Sequence, residues 1–117
     1  KASVVKYGGG AYLLTTHMML WFTMNYIRTP DDMLDPLASP LRAEKRGLPQ
    51  TFMAITDCDV LYDDNIAMAE SLHAAGVDVT SHVYPGTVHS FLEAMSIAEV
   101  SRRAIRETAA WLVGRIG

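Results

Sequence analysis

The chain has 117 residues, 50% hydrophobic and 20% charged, the balance of a globular domain, which excludes a disordered or fibrous segment. Ten Lys and Arg against thirteen Asp and Glu leave a formal charge of -3 with the signs interspersed. No basic patch follows from that pattern, so nucleic acid and an anionic membrane surface are not expected as partners.

Residues Lys1 to Gly10 end in Gly8-Gly9-Gly10, read as a flexible loop. Thr15 or Thr16 then caps a helix running to about Ile27, with Met18, Leu20, Trp21 and Met24 on its apolar side. Its longest apolar stretch, Met18 to Met24, is well short of the about 20 residues of a membrane span and reads as a buried or interfacial helix. Thr29 to Pro49 holds four of the five prolines and is expected to be an irregular connection between two layers, turning around Pro30-Asp31-Asp32 and Ala38-Ser39-Pro40. Phe52-Met53-Ala54-Ile55-Thr56 is a short continuous apolar run, the pattern of a strand covered on both faces of a parallel sheet.

After Asp57-Cys58-Asp59, a helix capped by Asp63 or Asp64 passes through Ile66, Ala69, Leu72 and Ala75 and stops at Gly76. Val77 to Tyr84 alternates Val77, Val79 and Val83 with Asp78, Thr80 and His82, as in a strand near a sheet edge. Strand, helix, strand makes a parallel, right-handed βαβ unit. A last helix starts at a capping box, Ser96-Ile97-Ala98-Glu99, and lays Ile97, Val100, Ala104, Thr108, Trp111 and Leu112 along one face. The fold class is therefore α/β. Two strands have too little apolar face to stand alone, so the rest of the sheet is expected from elsewhere.

The chemistry sits at the ends of those strands. Asp59 and His89 each follow a strand, where sites form in open α/β sheets, and an acid beside a histidine is two thirds of a Ser-His-Asp triad. Read from position alone, Asp57 is a rival to Asp59, while Asp63 and Asp64 serve as helix caps. His17, His73 and His82 have no spacing that puts two ligands on one helix face, so no metal is expected. Cys58, the only cysteine, has no neighbour to activate it, and without a disulfide framework nothing demands an oxidising compartment, which leans towards the cytoplasm.

The flanking residues resemble the C-terminal part of the hormone-sensitive-lipase-like α/β-hydrolases, a family of carboxylesterases and lipases. Gly10-Ala11-Tyr12-Leu13-Leu14-Thr15 is similar to its segment entering a cap-associated helix, and Asp35-Pro36-Leu37-Ala38-Ser39-Pro40-Leu41 to its Asp-Pro-x-x-Ser-Pro stretch. Asp59-Val60-Leu61-Tyr62-Asp63 stands where the family has Asp-Pro-Leu-x-Asp, and His89-Ser90-Phe91 where it has His-Gly-Phe. Ala74-Ala75-Gly76-Val77 and Tyr84-Pro85-Gly86 fall between them at the family spacing.

The resemblance implies that Asp59 is the catalytic acid and His89 the catalytic base, and it divides the chain at 47/48, with a cap-associated helix and connection before a βαβα part of the hydrolase core. It makes Met18 and Trp21 candidates for a substrate pocket, beside Leu61 and Phe91 next to the catalytic pair. Val60 and Ser90 depart from the family proline and glycine, which alters backbone freedom more than reacting atoms.

In such folds the serine precedes the acid and the histidine, in a Gly-x-Ser-x-Gly elbow. None of Ser3, Ser39, Ser71, Ser81, Ser90, Ser96 or Ser101 has that context. Gly8-Gly9-Gly10 is not the oxyanion loop, because that loop precedes the elbow and follows a histidine. With no initiator Met at Lys1, the chain reads as a segment whose N-terminal partner supplies serine and oxyanion hole. The expected activity is ester hydrolysis on a small-molecule substrate without a cofactor, by an assembled enzyme able to form a homo-oligomer. The alternatives are a receptor-like relative that binds without turnover, or a peptidase or lactone hydrolase on the same scaffold.

Overall fold

In the computed structural model, which describes residues 1–116, the order is helix α1 (Ala2–Tyr7), helix α2 (Thr16–Tyr26), 3-10 turns at Pro30–Leu34 and Pro40–Arg42, and strand β1 (Thr51–Thr56). Helix α3 (Tyr62–Ala74), strand β2 (Val79–Tyr84), a 3-10 segment at Phe91–Ser96 and helix α4 (Glu99–Ile116) follow. The two strands pair in parallel, Thr51 beside Val79 and Thr56 beside Tyr84. Parallel neighbours need a long crossover back to the same end, and α3 supplies it. Both loops that leave the strands at their carboxyl ends therefore emerge side by side.

Helix α4 covers one face of the sheet. Ala104, fully buried, packs with Tyr84 and Phe91, and Ala54 and Val100 close around them. The Trp111 indole lies 5.7 Å from the Phe52 ring and donates to Thr80 Oγ1 at 3.0 Å. The Tyr84 hydroxyl donates to Glu107 at 2.6 Å; burial, then that carboxylate, push its pKa up to about 12. By strand alternation Ile55 points the other way, and it is as thoroughly buried.

Four local expectations need correction. Helix α3 starts at Tyr62, so Asp63 and Asp64 are not its caps. They sit in the first turn, where carboxylates complement the helix dipole. Asp63 Oδ2 accepts the Ser3 N–H at 3.0 Å and Asp64 pairs with Lys1, which docks the unforeseen helix α1. Strand β2 starts at Val79 because Val77 closes α3: with Gly76 at φ +80°, Gly76 N–H bonds to His73 O and Val77 N–H to Leu72 O, a Schellman motif.

Helix α4 starts at Glu99, and the capping box is not formed. Glu99 instead binds Arg102 at 2.8 Å and Arg106 at 2.6 Å, and Ile97 is left 85% exposed. Ser101 Oγ, donating to Phe91 O, ties the preceding 3-10 segment to the helix. Helix α2, capped by Thr15 as one reading had it, buries no residue, and Leu20, Trp21 and Met24 are exposed.

The connection is irregular but tied. Asp35 Oδ1 accepts the Leu37 N–H at 2.8 Å, and Ser39 Oγ donates to Met33 O at 2.7 Å. Lys45 is buried, and its ammonium donates to the carbonyls of Pro40, Leu41 and Ala43 at 3.2, 2.9 and 2.7 Å. All three donors are used, which satisfies a charge that burial would otherwise penalise. Among the described residues no helix is long and apolar enough to cross a membrane.

Candidate active site

Asp59 follows β1 and His89 follows β2, and the parallel register brings the two loops together. His89 Nδ1 lies 2.8 Å from Asp59 Oδ2, with Asp59 only 3% exposed. A carboxylate can only accept, so this contact places the imidazole proton on Nδ1 and leaves the lone pair on Nε2. The carboxylate is itself fixed: Thr56 Oγ1 donates to Oδ2 at 2.9 Å, and the Leu61 N–H donates to Oδ1 at 2.9 Å.

Thr56 was legible only as a strand residue, and no motif in the chain marked it as the buried partner of Asp59. Thr56→Val keeps the shape and removes that donor. It is expected to destabilise the protein by about 1–3 kcal/mol, the cost of leaving a buried polar group short of a partner, as read from the denaturant midpoint.

Asp57 stands apart from this contact. Its Oδ1 accepts the Thr87 N–H at 3.1 Å, and Cys58 N–H donates to Thr87 O at 3.0 Å, so the two strand-end loops are stitched together. The Cys58 thiol pKa is raised, by burial first and then by the Asp57 hydrogen bond, which suppresses the thiolate. Ser90 adopts φ +59°, ψ +22°, in the left-handed region, and this is the position of the family glycine. The turn after His89 thus requires a conformation that costs an L-residue about 1–2 kcal/mol. Ser90→Gly is expected to relieve that strain against a smaller entropic penalty, raising stability by about 0.5–1 kcal/mol in thermal unfolding.

A cleft of about 350 Å³ opens on the pair, lined by Leu61, Asn65, Phe91 and Leu92 beside Asp59 and His89. Leu61 and Asn65 also line a larger cleft of about 690 Å³, walled by Met19, Met33, Leu41 and Met68. Of the four pocket candidates, Leu61 and Phe91 lie in the cleft with the pair. Met18 and Trp21 line neither cleft; Trp21 is 58% exposed and packs edge-on against Phe22. Met19, which the sequence pattern did not separate from its neighbours, lines the larger cleft. His82 lies 3.5 Å from Glu107, and among the described residues no three His, Cys, Asp or Glu side chains gather as metal ligands.

Residues 1–93 match a protein family described as alpha/beta hydrolase fold. Over 100 residues the chain is 40% identical to an ethyl acetate hydrolase of Pseudomonas putida, a match covering 85% of this chain and 31% of that protein. It is 34% identical over 101 residues to a carboxylic ester hydrolase of Mycobacterium tuberculosis, covering 85% of this chain and 27% of that one. Among solved structures, a hyperthermophilic esterase from the archaeon Pyrobaculum calidifontis superposes with a TM-score of 0.90 at 34% identity, over 94% of this chain and 36% of that chain. The chain thus spans about a third of the length of the curated relatives it matches.

Proposed function

This chain belongs to the α/β-hydrolase fold family, and on that premise we propose that it is the C-terminal part of a serine carboxylesterase, supplying the acid and the histidine of the triad. The observation that carries the reading is the 2.8 Å contact of His89 Nδ1 with Asp59 Oδ2 at the carboxyl ends of adjacent parallel strands. The names of the relatives, ethyl acetate hydrolase and carboxylic ester hydrolase, support ester hydrolysis as the reaction class.

The serine and the oxyanion donors lie, in this proposal, in polypeptide N-terminal to Lys1. His89 Nε2 takes the serine proton as the hydroxyl attacks the ester carbonyl, and Asp59 stabilises the imidazolium that forms. The same nitrogen then gives that proton to the departing alcohol. In the second half it deprotonates the water that releases the acid. The apolar walls supplied by Leu61, Phe91 and Leu92 suit a small uncharged acyl or alcohol group.

A fluorophosphonate probe tests this directly. It is expected to label a serine in the N-terminal part of the complete polypeptide, or in a chain that copurifies with this one, and His89→Ala is expected to abolish labelling with the fold intact. Unchanged labelling in His89→Ala would remove the histidine from the mechanism.

A further inference from the structure

The stitching between the strand-end loops has a carboxylate in it that the proposed reaction does not use. We infer that Asp57 is a positioning residue, which sets the Asp59–His89 contact by anchoring the turn that carries the histidine. The inference rests on the reading of Asp59 and His89 as triad members.

Three observations carry it. The paired register of the strands ends at Thr56 and Tyr84, and beyond it nothing in a parallel sheet fixes how far two loops diverge. Asp57 and Thr87 continue the pairing past that end through two bonds of opposite direction: Thr87 N–H to Asp57 Oδ1 at 3.1 Å, and Cys58 N–H to Thr87 O at 3.0 Å. Asp59 and His89 each stand two residues beyond the stitched pair, so the stitch is the last fixed point before the catalytic contact.

Thr87 is an anchor worth holding. It is buried, and its hydroxyl donates back to Tyr84 O at 2.5 Å, so pinning its N–H fixes the whole turn from Tyr84 to His89. Burial pushes the Asp57 pKa up, but the N–H groups of Gly86 and Thr87, together with the Cys58 thiol and its own N–H, outweigh it and hold the carboxyl below its ordinary value. The ionised tether therefore persists through neutral and mildly acidic pH, and it loosens only as pH falls through that depressed value. Asp57 does not line the cleft, so its effect on turnover is expected to pass through the Asp59–His89 contact.

A displacement of the base by about 1 Å can cost about 10²-fold in rate. Asp57→Ala in the complete polypeptide is therefore expected to lower kcat on a short-chain ester by about 10- to 100-fold, with KM little changed. Asp57→Ser, polar but too short to reach the Thr87 N–H, carries the same expectation if the alanine variant does not fold. Asp57→Asn keeps one acceptor oxygen and is expected to restore most of kcat.

The second readout is the proton NMR resonance of His89 Nδ1–H, assigned by its absence in His89→Ala. It is expected to move or broaden in Asp57→Ala and Asp57→Ser and to return in Asp57→Asn. That signal needs no turnover, so it reports positioning even if the esterase reading fails, which would be seen separately as full activity in His89→Ala. A lower melting temperature with kcat and the His89 resonance both unchanged would reduce Asp57 to a structural contact and overturn the inference.

Discussion

Asp59→Asn in the complete polypeptide is expected to lower kcat by about 10⁴-fold, the scale seen when the acid of a Ser-His-Asp triad becomes an amide. The reason is proton inventory. An asparagine can turn its amide N–H₂ towards His89 Nδ1, which favours the tautomer with the proton on Nε2 and leaves no lone pair to accept the serine proton. The Leu61 N–H and the Thr56 hydroxyl already direct the present carboxylate oxygens, and an amide oxygen can still serve Leu61, so the variant should fold.

His89→Ala removes the base itself and is expected to cost at least as much. Because the two residues act as one unit, the double variant should be no slower than His89→Ala alone. Measuring kcat for both singles and the double on one ester, with the denaturant midpoint of each, settles the matter. Additive losses would mean that the acid works independently of the histidine.

What was legible in the sequence followed from periodicity and punctuation. The apolar run of β1, the crossover of α3, the left-handed stop at Gly76 and the positions of Asp59 and His89 after their strands are local signals, and each has its counterpart in the structure. What was not legible depended on competition between partners. Ser96 and Glu99 have the spacing of a capping box, but Arg102 and Arg106 lie within one and two turns of Glu99 and take its carboxylate. Asp63 and Asp64 look like caps, but their partners are Ser3 and Lys1, some sixty positions away.

The same holds at the site. Asp57 and Asp59 are alike in position after the strand, the resemblance alone favours Asp59, and the register of β1 against β2 sends Asp57 to the Thr87 amide and Asp59 to the His89 ring. Helix α2 offers Met and Trp on several faces, so no periodicity could single out Met19 as the one that lines the larger cleft.

Phe91→Ala joins stability to the site, and it is expected to destabilise the protein by about 3–4 kcal/mol. Phe91 is 8% exposed, and its ring lies 5.4 Å from that of Tyr84, over the fully buried Ala104. The truncation keeps the backbone bonds, Phe91 N–H to Val88 O and Ser101 Oγ to Phe91 O, so the loss is one of side-chain packing. Alanine at residue 104 cannot expand to fill the space, and the Tyr84 ring is held by its bond to Glu107, so the cavity should stay largely open. Since Phe91 also lines the cleft, the vacated volume adjoins the proposed substrate site. Longer acyl esters are then expected to gain in kcat/KM relative to acetyl esters, even as the melting temperature falls. A large loss of stability with an unchanged ester preference would place Phe91 in the core alone, whereas a changed preference without loss of stability would mean that the Tyr84 and Ala104 contacts contribute little to holding the histidine loop.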